Sequence, residues 1–482
     1  MRKRSAIASL LMNAALAGML QLVAARECTA QVQSLDVPES SAINPVVHDC
    51  NTIKPSEPRP DELTPPLFAP VTSALLHATL PCDRTAVSPF KLANLQDAFD
   101  FYSWLTFVTL IKPADGQPIE ARRDAPTFWE TWKQLPDVML ADGSEPEAWQ
   151  VPNAPVVPDA CRNVPGKGMI IHLEEETFDQ PFKSGPLIDQ SGHYALFVIL
   201  MNQPMFDYIL EKRLYNIHGQ RAFGPGQVNF PNGSASKDTT GTVGSMMVKA
   251  SWKVLSPNDD PSEYHTFTAR VYAPASADGT SPATCNIKKL GLIGFHVAHK
   301  TVNAHQWIWS TFEHVKNVPD KAEFESKKFS QPHYAFFDKT CMSCAINATP
   351  PRPWNPRVEP FPGGFKSQIV RDMNLSPDVV RLNSAFQKIL GKTVWANYKL
   401  IFTQWPSDIF CAKQSDASLQ SDPTCIPVPM YLANSTLETF SQGETPLASS
   451  SCIACHGNAT TQHIPATLSD FTFILEKAHG AP

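Results

Sequence analysis

Apolar residues along this chain change their spacing twice, and the changes divide it into regions. Asp97 to Ile111 is aromatic and apolar almost without interruption, which predicts a buried helix ended by Pro113 and the turn Asp115-Gly116. Thr127 to Trp132 reads as a short helix after Pro126. The pattern then turns to strands. His193 to Met201 is a continuous apolar run stopped by Asn202 and Pro204, with a helix expected over Met205 to Leu214. Val243–Leu255, His265–Tyr272, Lys289–His299 and Gln306–Val315 are further strands, separated by loops rich in Pro, Gly, Asn and Ser. Strands in succession with helices grouped at the edges predict an α+β fold, an antiparallel β-rich body with peripheral helices, rather than a βαβ repeat.

Helical spacing returns after Pro362-Gly363-Gly364. Ser376 and Pro377 suit the N-cap and first position of a helix, and Val379, Leu382, Phe386, Ile389 and Leu390 form one apolar face before Gly391. A last helix is expected over Ser469–Ala478, so the C-terminal region reads as mainly helical. Ten prolines in residues 31–90, with little periodicity, predict an extended N-terminal arm. The expected organisation is an arm over 31–91, an α+β body over 92–364 and a C-terminal region over 365–482.

Ahead of the arm, Arg2, Lys3 and Arg4 precede a mostly apolar stretch from Ala6 to Val23 with small residues near Ala25 and Ala30. This is the pattern of a secretory signal peptide over 1–25, with cleavage as late as 30, and it predicts a periplasmic or secreted protein. The stretch is interrupted by Ser9, Asn13 and Gln21, which disfavours a membrane anchor, and no later segment offers the unbroken apolar run of a membrane span. Loss of residues 1–25, with three basic and no acidic side chains, takes the net charge from −6 to −9. A mildly acidic chain without basic patches argues against a nucleic-acid partner and favours a redox partner protein or a small-molecule substrate.

The densest chemical signal is Cys452-Ile453-Ala454-Cys455-His456. Two thiols three positions apart share one side of a helical turn, spaced to add to the two vinyl groups of one porphyrin. The histidine that follows meets the iron as axial ligand. The motif therefore predicts one covalent haem c, held by Cys452 and Cys455, with His456 on the metal. Nine other cysteines remain, and late cleavage would remove Cys28 and leave eight, enough for four disulfides in an oxidising compartment. Cys411 and Cys425 flank a polar loop and are the first choice for a bridge. Cys341-Met342-Ser343-Cys344 lacks a following histidine and reads as structural disulfide chemistry, within the pair or to other cysteines.

Several blocks, Pro126–Trp132 (PTFWETW), Gln306–Pro319 (QWIWSTFEHVKNVP), Val394–Pro406 (VWANYKLIFTQWP) and Ser450–Ala459 (SSCIACHGNA), resemble a family of secreted bacterial proteins described only as cytochrome c family proteins. The resemblance runs from about Phe99 onward and implies a covalent haem at Cys452, Cys455 and His456, with no established reaction. The chain departs from small cytochromes c, in which a methionine several dozen residues after the motif closes the other side of the iron. Only 26 residues follow His456 and none is methionine. Met430, in the stiff loop Pro427-Val428-Pro429-Met430, is one candidate distal ligand; Met373, His463 and the upstream histidines are others, and an open distal side is a further alternative.

Four histidines (His296, His299, His305, His314) and two tryptophans (Trp307, Trp309) crowd one segment. Period two would place Trp307, Trp309, Thr311 and Glu313 on one face and Ile308, Ser310, Phe312 and His314 on the other, with His296 and His299 on opposite faces of their strand. A core strand with aromatic packing and a surface charge explains this better than a redox pocket does. The function expected is that of a monohaem c-type cytochrome in one-electron transfer. The alternative is a haem c-dependent oxidoreductase, peroxidase- or oxygenase-like, with the large upstream body as substrate domain.

Overall fold

The computed structural model describes residues 49–51, 71–87, 92–115, 117–119, 125–150, 153–166, 168–224, 227–234, 240–408, 411 and 425–480. The expected signal peptide and much of the expected arm lie outside the described residues. In chain order the principal elements are β1 (Asp49–Asn51), α1 (Leu95–Leu110), β2 (Lys133–Gln134), β3 (Ile170–His172), α2 (Glu175–Phe178), β4 (Leu196–Met201), α3 (Gln203–Glu211), α4 (Ile217–Phe223) and β5 (Thr240–Thr242). There follow β6 (Met246–Val254), β7 (Thr266–Ala273), β8 (Thr284–Thr301), β9 (Ala304–His314), α5 (Lys321–Ser326), α6 (Pro377–Leu390), β10 (Tyr398–Pro406), β11 (Pro427–Val428), α7 (Leu447–Ser450) and α8 (Cys452–His456).

The fold is α+β. A nine-stranded sheet runs β11-β10-β9-β8-β6-β4-β2 through antiparallel pairs, while β7 adds to β8 and β3 pairs in parallel with β7. Leu290 and Gly291 of β8 pair with β6 on one edge and β7 on the other, so the long strand is shared between two branches of the sheet. β10 comes from the C-terminal region yet pairs with β9, which ties that region into the same sheet as the body. Its sequence, Tyr398–Pro406, is buried along most of its length, so it lacks the alternation that marks a one-sided strand.

One face of the sheet carries the larger core. Helix α1 starts at Asn94, whose side chain accepts the Asp97 N–H at 2.9 Å, and buries nearly every side chain it has. Trp104 stacks on Phe386 of α6, ring centroids 4.8 Å apart, and donates its indole N–H to Asn383 at 2.9 Å. Ser103 of α1 is paired, its Oγ meeting Ser310 Oγ and Thr403 Oγ1, each at 2.6 Å. α6 begins at Ser376, as expected, and stops at Gly391 with φ of +56°. His299 faces this core and hydrogen-bonds the Tyr102 hydroxyl.

The opposite face holds a second apolar cluster with Met201, Met247, Ala298, Trp307, Trp309, Ile453 and Phe471. Beside it, residues 434–439 press against the sheet. A Cβ on Gly294 would meet Thr436 Oγ1 at 2.2 Å, so this position needs glycine for close approach. Glu313 is fully buried here. It receives Arg371 Nη2 at 2.6 Å, the Ser435 N–H at 2.6 Å and the Ser435 hydroxyl at 2.7 Å. Burial opposes ionisation of Glu313, but the Arg371 charge and hydrogen bond outweigh it and hold the carboxyl below its ordinary range.

Four disulfides join the described cysteines outside the C-terminal motif: Cys50–Cys82, Cys161–Cys285, Cys341–Cys344 and Cys411–Cys425. The first lies within the arm, whose Leu75 and Leu76 join the main core. Among the described residues no helix is long and apolar enough to cross a membrane. The chain's end departs from the helix expected over Ser469–Ala478. Asp470 and Phe471 take positive φ of 56° and 63°, so helical structure is limited to a 3-10 turn over Phe473–Lys477.

Removing one partner of the buried Glu313–Arg371 pair strands the other charge, so Arg371→Met should cost about 3–5 kcal/mol in urea unfolding. A second outcome follows from His299, which burial pushes down to about 3. Above an unfolded value of about 6.5 neither state binds the proton, but below it only the unfolded chain does, so this contribution is lost as pH falls. The stability difference between the wild type and His299→Gln should narrow by about 1.4 kcal/mol per pH unit from pH 6 to 4.

Candidate functional site

The motif Cys452–His456 forms the single turn α8, and a glutamine on the sheet builds it. Gln404 Oε1 accepts the Ile453 N–H at 2.8 Å and the Ser451 hydroxyl at 3.1 Å. Its amide nitrogen donates to the Pro429 carbonyl at 2.6 Å. Ser451 caps the turn, its Oγ accepting the Ala454 N–H at 3.3 Å. Ile453 points into the second core and is fully buried, while Cys452, which packs against the same core, and Cys455 are partly buried. Neither thiol is in a disulfide.

Several contacts orient His456. Its Nδ1–H donates to the Phe471 carbonyl at 2.8 Å, and the ring packs on Trp309 and Phe473 with centroids 4.4 and 5.1 Å away. Burial pushes its titration down to about 4, so the ring is neutral at pH 7. With Nδ1 donating, Nε2 is the nitrogen that carries the lone pair. The Phe471 carbonyl is aimed by the paired left-handed residues Asp470 and Phe471. The Asp470 carboxylate in turn accepts the Phe230 N–H at 2.7 Å and is paired with buried Lys300, which also donates to Asn229 at 2.7 Å.

The polar surroundings of the thiols come from the sheet and residues 434–439. Lys249 on β6 lies opposite His296 on β8, and His296 Nε2 is 3.2 Å from Glu438 Oε2. Burial, and then the nearby Glu438 charge, push the Cys455 thiol up to about 12 and raise Cys452 further above its ordinary value. Lys249 is held below its usual range by burial, against the opposing pull of Glu438.

The crowded histidine–tryptophan segment separates by face. Trp309 and Thr311 share the side of the motif with His296, whose strand neighbour is Thr311. Ile308, Ser310 and Phe312 point to the larger core. His299 bonds Tyr102 there, and His314 stacks on Tyr264 at 4.2 Å. Of the four histidines, His296 is the one whose charge is felt at His456, and it pairs with Glu438. Met430 is 41 % exposed, in a loop that Gln404 ties to the motif through Pro429. His463 is buried elsewhere, its Nδ1 at 2.9 Å from the Thr461 hydroxyl. Met373 sits two residues beyond Arg371.

Gln404, Lys249, Glu438 and Asp470 were not singled out by sequence reasoning. Lys249 left a trace, a lysine inside the apolar strand Met246–Val254, whereas the others depend on long-range register. The donor set fits a covalently tethered haem: two unbridged thiols on one turn, followed by a neutral imidazole fixed at Nδ1. Among the described residues no group of three or more His, Cys, Asp or Glu side chains is gathered as an ion site; a haem asks the protein for one nitrogen on this side. No family model, curated protein or solved structure matches the chain.

In protein made without haem attachment, mass spectrometry after alkylation should find Cys452 and Cys455 modified and the four bridges intact. Because both thiols are raised, alkylation at pH 8 should be slow until denaturant is added.

Proposed function

We propose that this chain is an exported, periplasmic c-type cytochrome-like protein that carries one covalent haem on Cys452 and Cys455, with His456 as axial ligand, and transfers single electrons. The observation that carries the reading is a contrast between two pairs of identical spacing. Cys341 and Cys344 are bridged, while Cys452 and Cys455 are unbridged on a capped turn whose next residue is a neutral, anchored histidine. When bound, the haem supplies a ferric–ferrous couple.

The chain's own residues would do the rest. Phe471 and Asp470 hold the imidazole's tautomer and angle, Trp309 and Phe473 keep water from the ring, and the Lys249–His296–Glu438 group sets the charge beside the sulfurs. The sixth ligand is left to experiment among Met430, His296 and none. The four disulfides and the N-terminal pattern support export. The resemblance to secreted cytochrome c family proteins points the same way. The alternative, a haem c-dependent oxidoreductase, draws support from a cavity close to the motif, described below.

Expressed in a host competent for cytochrome maturation, the protein should exceed the mass of its mature chain by one haem, and the Cys452→Ala, Cys455→Ala double variant should lose that increment. A colourless, unmodified wild-type product overturns the reading. Reduced protein that ignores carbon monoxide indicates a carrier with a filled sixth position, and rapid binding indicates the oxidoreductase.

A further inference from the structure

The sheet leaves a seam between β3 and β4. β4 pairs with β2 only at Leu200 and Met201, and among the described residues no strand pairs with its outer edge over Phe197–Ile199. Across the seam, the Gln134 side chain substitutes for a strand. Its Nε2 donates to the Ile170 carbonyl at 3.2 Å and its Oε1 accepts the Ile170 N–H at 3.1 Å. Next to this clasp lies a cavity of about 310 Å³.

The cavity has a definite chemical character. Leu135, Leu140, Phe197 and Ile199 supply apolar wall. Four ionisable groups at its rim form two pairs, His172 Nδ1 with Glu174 Oε1 at 3.8 Å and Lys477 Nζ with Glu176 Oε2 at 3.3 Å, with His479 beside them. Paired charges offer little to a bare ion, and the walls favour a neutral ligand. The volume lies at the lower end of small-molecule sites, roughly 300–1,000 Å³, which suits a single ring. The His172 ring stands edge-on to Tyr272, centroids 5.1 Å apart, and with Glu174 offers both a donor and an acceptor at one place on the rim.

We propose that the seam cavity binds a small neutral hydroxyaromatic molecule, a monocyclic phenol, with its ring between Leu140 and Ile199 and its hydroxyl at His172 and Glu174. The site lies on the motif's side of the sheet, since Ile199 and Cys452 pack against the same second core. Ile199 is the strand partner of Lys249, about 4.8 Å away across the ladder, and Lys249 feels the charges of both Glu176 and Cys455. The proposal thus names a substrate class for the oxidoreductase alternative above: the phenol would give one electron to a ferric haem and its hydroxyl proton to the Glu174 carboxylate, leaving as a phenoxyl radical. That step rests on the haem reading, whereas the phenol's binding does not.

The test is calorimetric titration of full-length mature protein with 4-methylphenol, with toluene and 4-methylbenzoate as comparison probes, on the haem-loaded chain and on the Cys452→Ala, Cys455→Ala chain. One saturable site is expected on both, at least tenfold tighter for 4-methylphenol than for either comparison probe. Leu140→Trp should weaken 4-methylphenol at least tenfold by filling the ring space, and His172→Ala should erase the preference over toluene. Absence of saturable binding, a preference for the benzoate, or unchanged affinity in both variants overturns the site. If the wild type takes up no haem yet binds the phenol, the haem reading falls and the site stands; if it takes up haem and ignores the phenol, the reverse holds.

Discussion

The pleat of β9 assigns work to the two sides of the molecule. Ile308, Ser310 and Phe312 reach into the core beneath α1 and α6, and Trp309, Thr311 and Glu313 reach into the face that carries the motif. A slip of one residue would exchange these sets, placing Glu313 among aromatic rings and Phe312 against Arg371. Each strand bonded to β9 repeats the assignment in register. Gly294 faces Glu313, His296 faces Thr311, Ala298 faces Trp309, and Gln404 faces Trp309 from the far edge. The motif's position is therefore inherited from sheet register.

Charge on that face is handled by pairing. Glu313 with Arg371, Asp470 with Lys300 and Glu438 with His296 each bring a carboxylate together with a cationic or ionisable partner in a partly or fully dry setting. Such pairs add little net stability against an apolar equivalent, yet losing one partner is costly. They hold segments distant in sequence: the 434–439 segment through Ser435 and Glu438, and the 470–471 turn through Asp470. The turn then presents the carbonyl that His456 needs.

Much of the body was legible from spacing alone. The helix over Asp97–Ile111 and those after Asn202 and Ser376 lie within a few residues of their observed bounds, because their caps and apolar faces are local signals. The strands β6 to β9 were equally visible through apolar and β-branched runs. Less local features escaped. β10 is buried on both faces and shows no alternation, and the tail's helical composition is overridden by two left-handed residues that a buried ion pair pins in place. At the site, Cys452, Cys455 and His456 were plain from their spacing. Gln404, Lys249 and Glu438 meet them only through register set hundreds of residues upstream or across the sheet. The disulfide of Cys411 with Cys425 agrees with the short polar loop they flank, but no spacing rule could have chosen Cys161–Cys285.

The depressed acidity of the Cys455 sulfur carries a consequence in time. With its titration pushed up to about 12 by burial, the Cys455 sulfur stays almost wholly in its protonated, unreactive form in the folded protein at neutral pH. Thiol–disulfide exchange at the two sulfurs is slowed accordingly, in a chain whose other eight described cysteines are bridged. The same barrier slows any desired modification once the turn has docked. Chemistry at these sulfurs is therefore faster in the nascent or partly opened chain than after the turn has docked.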